Sequence, residues 1–124
     1  MIEKQLELFI NTPADMVEEY QAVSGQEPSW QMYSNLIVEE MDEWVEAVDL
    51  RGPSDEELKE LSDLIYVIYG YAYAKGWNLD EAIKRVHENN MGRMRQPDGT
   101  IKRREDGKII KNKDYPKVDL GDLV

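Results

Sequence analysis

Residues 29–48 read SWQMYSNLIVEEMDEWVEAV and residues 54–75 read SDEELKELSDLIYVIYGYAYAK, and these two stretches decide the fold. In the first, Tyr33, Ile37, Met41, Trp44 and Val48 recur every three or four residues, the period of a helix with one apolar face. Ser29 after Pro28 marks its start, and Arg51-Gly52-Pro53 is the expected stop. In the second, Ser54 with Glu57 forms a capping-box pair and Gly76 a C-terminal stop. Leu58, Leu61, Ile65, Ile68 and Ala72 make one stripe, while Leu64, Val67 and Tyr71 occupy other sides. This helix is therefore expected to be buried nearly all round.

Two more helices flank this pair. Thr12-Pro13 is an N-cap followed by proline at the first helical position, and Met16, Val17, Tyr20 and Val23 follow at helical spacing until Ser24-Gly25. Asn78 with Glu81 opens a shorter helix toward Asn90. Beyond it, Asp98-Gly99 and Asp106-Gly107 are turn signals between the short stretches Thr100 to Arg103 and Lys108 to Lys111. The expected class is all-α, a four-helix bundle with a C-terminal extended or hairpin tail. The chain of 124 residues is long enough for one core, so a single domain over 1–124 is expected, with a helical body over 12–91 and a basic tail over 93–124.

Composition narrows the chemistry. With no cysteine there is no disulfide framework, thiolate metal site or cysteine nucleophile. The charged start from Met1 to Asp15 lacks the apolar core of a signal peptide, and the longest apolar run, Leu64 to Ala74, is far below the roughly 20 residues of a membrane span. A cytoplasmic protein without membrane partners is expected. The net charge of −11 disfavours nucleic acid as a partner. Its distribution is uneven: residues 1–92 carry 20 acids and 6 bases, whereas residues 93–124 carry 6 acids and 9 bases. An acidic body precedes a basic tail.

On a helical wheel at about 100° per residue, Glu40 falls inside the apolar arc of residues 29–48 and Glu43 near its edge, while Asp42 and Glu46 point to the opposite side. Glu60 and Asp63 sit three apart within the following apolar helix, beside Leu64 and Val67. Each helix thus sends an i, i+3 pair of carboxylates toward the core, where an unpaired carboxylate costs several kcal/mol. Lys59 is the one basic residue near them. A bound divalent cation would neutralise the group, and carboxylate oxygens with no histidine or cysteine nearby suit Mg²⁺ or Mn²⁺. The plainer alternative is a solvated acidic face, as on many helices. No EF-hand pattern, phosphate-binding glycine loop, dinucleotide fingerprint or nucleophile elbow is present, and His87 reads as a structural or surface residue.

Glu39-Glu40-x-x-Glu43, sixteen intervening residues, then Glu60-x-x-Asp63 resembles the signature of the all-α NTP pyrophosphohydrolases, which include MazG-like enzymes, dimeric dUTPases and phosphoribosyl-ATP pyrophosphohydrolase. Leu36-Ile37, Asp63-Leu64-Ile65-Tyr66-Val67 with Gly70, Gly76-Trp77, and Val86-His87-x-Asn89-Asn90-Met91 extend the likeness. So does the tail, with Asp98-Gly99, Asp106-Gly107-Lys108, Lys111 and Tyr115-Pro116. The resemblance implies hydrolysis of a nucleoside triphosphate to monophosphate and pyrophosphate, with Mg²⁺ (or Mn²⁺) on Glu40, Glu43, Glu60 and Asp63. Glu39 is the spare acid, assigned a catalytic role as proton acceptor or holder of a second cation. Asn90 and Arg93 match a family Asn-Met-Ser-Lys stretch for phosphate contact. Here Gly92 and Arg93 replace the last two residues of that stretch, keeping the charge but making it a planar fork. Lys75 is a further substrate-binding candidate, with Lys108 and Lys111 behind it, and the tail could close over phosphates. Trp30, Tyr33 and Asn35 are candidates for a base pocket, although Tyr33 suits core packing better.

A house-cleaning nucleotide pyrophosphohydrolase is the reading that results, working as a homodimer or dimer of dimers as family members do. Phosphoribosyl-ATP is the rival substrate. A catalytically dead nucleotide-sensing or interaction protein and an acidic DNA mimic are the rivals outside the class.

Overall fold

The computed structural model describes residues 12–27, 29–48 and 54–124. Pro28, the Arg51-Gly52-Pro53 stop and the charged start up to residue 11 lie outside the described residues. The chain is all-α, with four helices among the described residues: α1 (Pro13–Ser24), α2 (Trp30–Ala47), α3 (Asp55–Lys75) and α4 (Leu79–Arg93). Two short strands follow, β1 (Lys102–Arg103) and β2 (Ile109–Ile110), and a 3-10 turn over Gly121–Leu123. By compactness the chain forms two units, Met1–Leu79 and Asp80–Val124.

Local chemistry sets the helix ends. Thr12 caps α1 with a complete box: its hydroxyl accepts from the Asp15 amide at 3.3 Å while the Asp15 carboxylate accepts from the Thr12 amide at 3.2 Å. Ser29 caps α2 by accepting from the Met32 amide, and Ser54 caps α3 by accepting from the Glu57 amide. Three acids in the first turn of α3 and Lys75 in its last turn complement the helix dipole. α1 and α3 both end on a glycine in the left-handed region, Gly25 and Gly76.

In the first unit α3 packs against both α2 and α1. Val17, Gln21, Tyr33, Leu64, Tyr69 and Ala72 are buried between them. The seam between α2 and α3 closes at Gly70, where a Cβ would overlap the Tyr33 ring, so only glycine lets the phenol lie against the helix backbone. The Gln21 side-chain amide donates to the Tyr33 hydroxyl, which ties α1 to the same point. Tyr20 and Tyr66 add an edge-to-face pair at 6.0 Å.

One expectation is corrected here. α3 is buried along one side and not all round: Leu58, Leu61, Ile65, Tyr66 and Tyr73 remain exposed. Among the described residues it packs chiefly against α1 and α2, and two helices cannot cover the full circumference of a third. Val38, Met41 and Val45 on α2 are also exposed.

The second unit winds the tail back on α4. The Arg85 guanidinium grips Asp122 with a two-pronged contact of 2.5 and 3.0 Å and also reaches Glu81 at 3.1 Å. The Asn89 amide donates to the Pro116 carbonyl at 2.8 Å. β1 and β2 form an antiparallel hairpin, Lys102 opposite Ile110 and Arg103 opposite Ile109, so the hairpin form of the expected tail is the one adopted. The fourth helix runs past its expected end near Asn90 to Arg93, because Tyr115 packs on Gly92 where a Cβ would collide, and the Asn112 amide takes up the free Arg93 carbonyl at 2.8 Å.

Two outcomes follow. Gly70→Ala should lower stability by about 1–3 kcal/mol, the range for overpacking a tight core, and an unchanged denaturant midpoint would show that the Tyr33 ring is not seated on Gly70. The Arg85 hydrogen bond holds the Asp122 carboxyl below its ordinary value of 3.8, so this clamp is present above that value and lost as pH falls through the lowered one. NMR signals of residues 121–123 should therefore move on acidification, and Asp122→Asn should show the released positions already at neutral pH.

Candidate metal centre

The α2–α3 seam brings together acids that are 20 or more residues apart in the chain. Glu40 projects from α2, and Glu60 and Asp63 project from successive turns of α3. One carboxylate oxygen from each lies within 4.8 Å of the others, and all three residues are half-buried. Glu43, one turn along α2 and exposed, has its carboxyl within hydrogen-bonding reach of both Glu40 and Glu60.

Electrostatically this group is unsatisfied. The Oε2 atoms of Glu40 and Glu60 are buried and meet no hydrogen-bond partner. Desolvation, then the neighbouring Glu43 carboxyl, pushes both residues above the usual carboxylate range, with Asp63 adding repulsion. Lys59 relieves this partly, its ammonium 2.7 Å from Asp63 and 3.6 Å from Glu60, and those acids raise the lysine in turn. Lys59 is itself largely exposed, so the pair is screened by solvent, and among the described residues no cation reaches Glu40. All-oxygen donors, two of them orphaned and buried, fit a hard divalent cation.

Beside the cluster an open cleft of about 580 Å³ is lined by Glu43, Glu46, Ala47, Val48, Ser54, Glu56 and Glu60. Among the described residues no basic side chain lines it. Glu46 and Glu56 escaped sequence reasoning because the wheel places Glu46 on the solvent side of its own helix; only the pairing of α2 with α3 turns that side into a cleft wall.

The remaining sequence candidates are distributed as follows. Glu39 is exposed on α2 and outside the group of three. The Lys75 ammonium lies 4.2 Å from the Trp30 ring centre, with Tyr71 and Trp77 at 5.8 and 5.7 Å. Trp30 and Trp77 each meet Tyr71 edge-on. This aromatic surround of Lys75 was not legible beforehand, since it joins the start of α2 to the end of α3. Tyr33 is core, as its better-favoured reading had it. Asn90 and Arg93 stand at the end of α4 in the second unit, Asn90 exposed and Arg93 half-buried, and His87 is exposed on the same helix.

The family model for phosphoribosyl-ATP pyrophosphohydrolase matches residues 4–90. The chain belongs to this family. The match spans the acidic cluster, so the spacing that suggested the all-α pyrophosphohydrolases and the geometry of Glu40, Glu60 and Asp63 concern one and the same set of residues. Family chemistry is the hydrolysis of an acid anhydride in a nucleotide, generally with a divalent metal. No curated protein matches the chain significantly. Among the described residues no helix is long and apolar enough to cross a membrane.

Because the Glu40 and Glu60 values are raised, their contribution to metal-free stability is present at acid pH and lost as pH rises through the raised values. In EDTA, Glu40→Gln should therefore melt higher than wild type at neutral pH and by a smaller margin at acid pH. Added Mg²⁺ should raise the wild-type melting temperature and leave the variant nearly unmoved. Lys59→Met should tighten Mg²⁺ binding a few-fold by removing a competing cation from Asp63, and weaker binding would show instead that the lysine holds the cluster in place.

Proposed function

We propose that the protein is a Mg²⁺-dependent nucleotide pyrophosphohydrolase that converts nucleoside or deoxynucleoside triphosphates to the monophosphate and pyrophosphate, clearing the nucleotide pool. The observation that carries this reading is the pair of buried, partnerless oxygens on Glu40 and Glu60 beside Asp63. An acidic DNA mimic has no use for carboxylates turned away from water, whereas a site for metal and polyphosphate requires them.

In this reading Glu40, Glu43, Glu60 and Asp63 hold the cation, with Mn²⁺ able to substitute. Bound there, the metal would offset phosphate charge and lower the pKa of a coordinated water. Glu39, exposed on α2, accepts the proton of the attacking water or holds a second cation, as the water oxygen adds to phosphorus and the α–β anhydride bond breaks. The electron pair of that bond goes to pyrophosphate when the α-phosphorus is attacked and to the monophosphate when the β-phosphorus is. Lys75, Asn90 and Arg93 are assigned to substrate binding, Asn90 and Arg93 through an amide and a guanidinium suited to phosphate oxygens. Lys75 would bring its charge together with the Trp30, Tyr71 and Trp77 rings, a combination suited to a nucleotide.

A second substrate, phosphoribosyl-ATP, is favoured by the family match itself. The bond broken is the same, and only the group attached to the base differs. The exposed Val38, Val45, Leu58 and Ile65 support a homo-oligomer, a dimer or dimer of dimers, in which a second copy covers these apolar faces. A cytoplasmic setting suits the absence of cysteine.

The test is pyrophosphate release from a panel of NTPs, dNTPs and phosphoribosyl-ATP with Mg²⁺ or Mn²⁺. Glu43→Gln and Asp63→Asn should each cost at least the roughly 10- to 100-fold seen when partners of metal ligands are lost, and the panel ranks the substrates. Orthophosphate as product, or no turnover by a folded, cation-binding protein, would overturn the reading in favour of a nucleotide-sensing role.

A further inference from the structure

In the second unit the tail runs back along α4 from its last turn toward its start. The Asn112 amide donates to the Arg93 carbonyl, the Tyr115 ring takes the space that a Cβ at Gly92 would need, the Asn89 side chain reaches the Pro116 carbonyl, and Arg85 holds Asp122. The contact at Asn89 differs from the others, because the same side chain also faces Arg93, one helical turn further on.

Asn89 Nδ2 donates to the Pro116 carbonyl at 2.8 Å, and Asn89 Oδ1 accepts from Arg93 Nη1 at 3.4 Å. A carbonyl only accepts and a guanidinium only donates, so the amide fits one way round, with its oxygen toward Arg93. Pro116 thereby sets which end of Asn89 the guanidinium meets. An aspartate in this place would set an oxygen against the Pro116 carbonyl, and an alanine would offer Arg93 nothing. Among the described residues Asn89 is the one acceptor that the guanidinium meets. Arg93 Nε is buried without a partner, and no carboxylate lines the cleft of about 330 Å³ that Arg93 borders with Arg104, Lys108, Lys111 and Lys113. The acceptor is neutral, so it orients the guanidinium without cancelling its charge, as a carboxylate partner would.

We propose that Asn89 is a positioning residue for substrate binding: held by the Pro116 carbonyl of the tail, it aims the Arg93 guanidinium and leaves the whole charge of that group for an anionic substrate. Its use in binding rests on the proposed contact between Arg93 and substrate, whereas the aiming of Arg93 does not. Pro116 acts here through α4 and itself touches no substrate.

The experiment is a double-mutant cycle on the full-length chain, read by pyrophosphate release from the best substrate of the panel and by side-chain NMR of Arg93. Asn89→Ala should raise KM about five-fold, as the loss of one hydrogen bond does, and leave kcat within about two-fold. The same substitution in an Arg93→Ala background should change KM by less than about two-fold, because its effect passes through Arg93. Asn89→Asp should raise KM further than Asn89→Ala, since its carboxylate pairs with the guanidinium, and added salt should narrow that gap. On the wild-type chain, which needs no variant to fold, hindered rotation should give Arg93 separate Nη1 and Nη2 signals, and these should merge in Asn89→Ala. An equal KM cost in both backgrounds, a fall in kcat with KM unchanged, or merged signals in the wild type would overturn the proposal. Where the wild-type chain turns over no nucleotide, the hydrolytic reading fails, and the Arg93 signals still uphold or overturn the aiming of the guanidinium by Asn89.

Discussion

The close approach of α2 to α3, with the Tyr33 ring lying against the backbone at Gly70, is the constraint on which the first unit depends. A larger residue at 70 would move the helices apart or push the ring out of its place. The same contact fixes α1 through Gln21 and sets the register in which Glu40 faces Glu60 and Asp63. Core packing and site geometry are therefore one arrangement: small apolar volumes on one stretch of the seam and concentrated negative charge on another.

That concentration of charge works against folding when no cation is present. Glu40 and Glu60 are held above the usual carboxylate range chiefly because burial disfavours their charged forms, and Lys59 compensates only from the solvent side. Retaining such a group in a seam that apolar residues could have filled is the pattern of a site shaped for ligand binding, not for stability alone. The second unit has the opposite sign. Its hairpin carries Lys108 beside a small cleft, with no ion pair among the described residues, and its stability comes from directed polar straps, Arg85 to Asp122 and Asn89 to Pro116, in place of a large apolar core.

Helix positions were legible because they rest on local chemistry. Thr12, Ser29 and Ser54 satisfy free amides within three residues of themselves, and Gly25 and Gly76 adopt a conformation that costs other residues steric strain. The acidic motif was legible in part for a related reason: helical periodicity turns Glu40, Glu60 and Asp63 inward, whereas Glu43, expected to turn toward the core with Glu40, sits at the edge of the apolar arc and is exposed. Burial of α3 was overestimated because periodicity reports which faces are apolar and carries no information on how many neighbours are available to cover them.

By itself, then, the sequence determined four helices, the N-caps of the first three, the inward direction of Glu40, Glu60 and Asp63, and the sign of charge in each part of the chain. All of these depend on interactions between residues a few positions apart or on simple counting. The tertiary structure alone decided which acids share a cation-sized space, that Lys75 sits among Trp30, Tyr71 and Trp77, that Gly92 admits Tyr115, and that Arg93 joins Lys108, Lys111 and Lys113 around one cleft. These juxtapositions arise from helix pairing and hairpin closure, in which contacts form across a dozen or more residues and no local pattern records the partner.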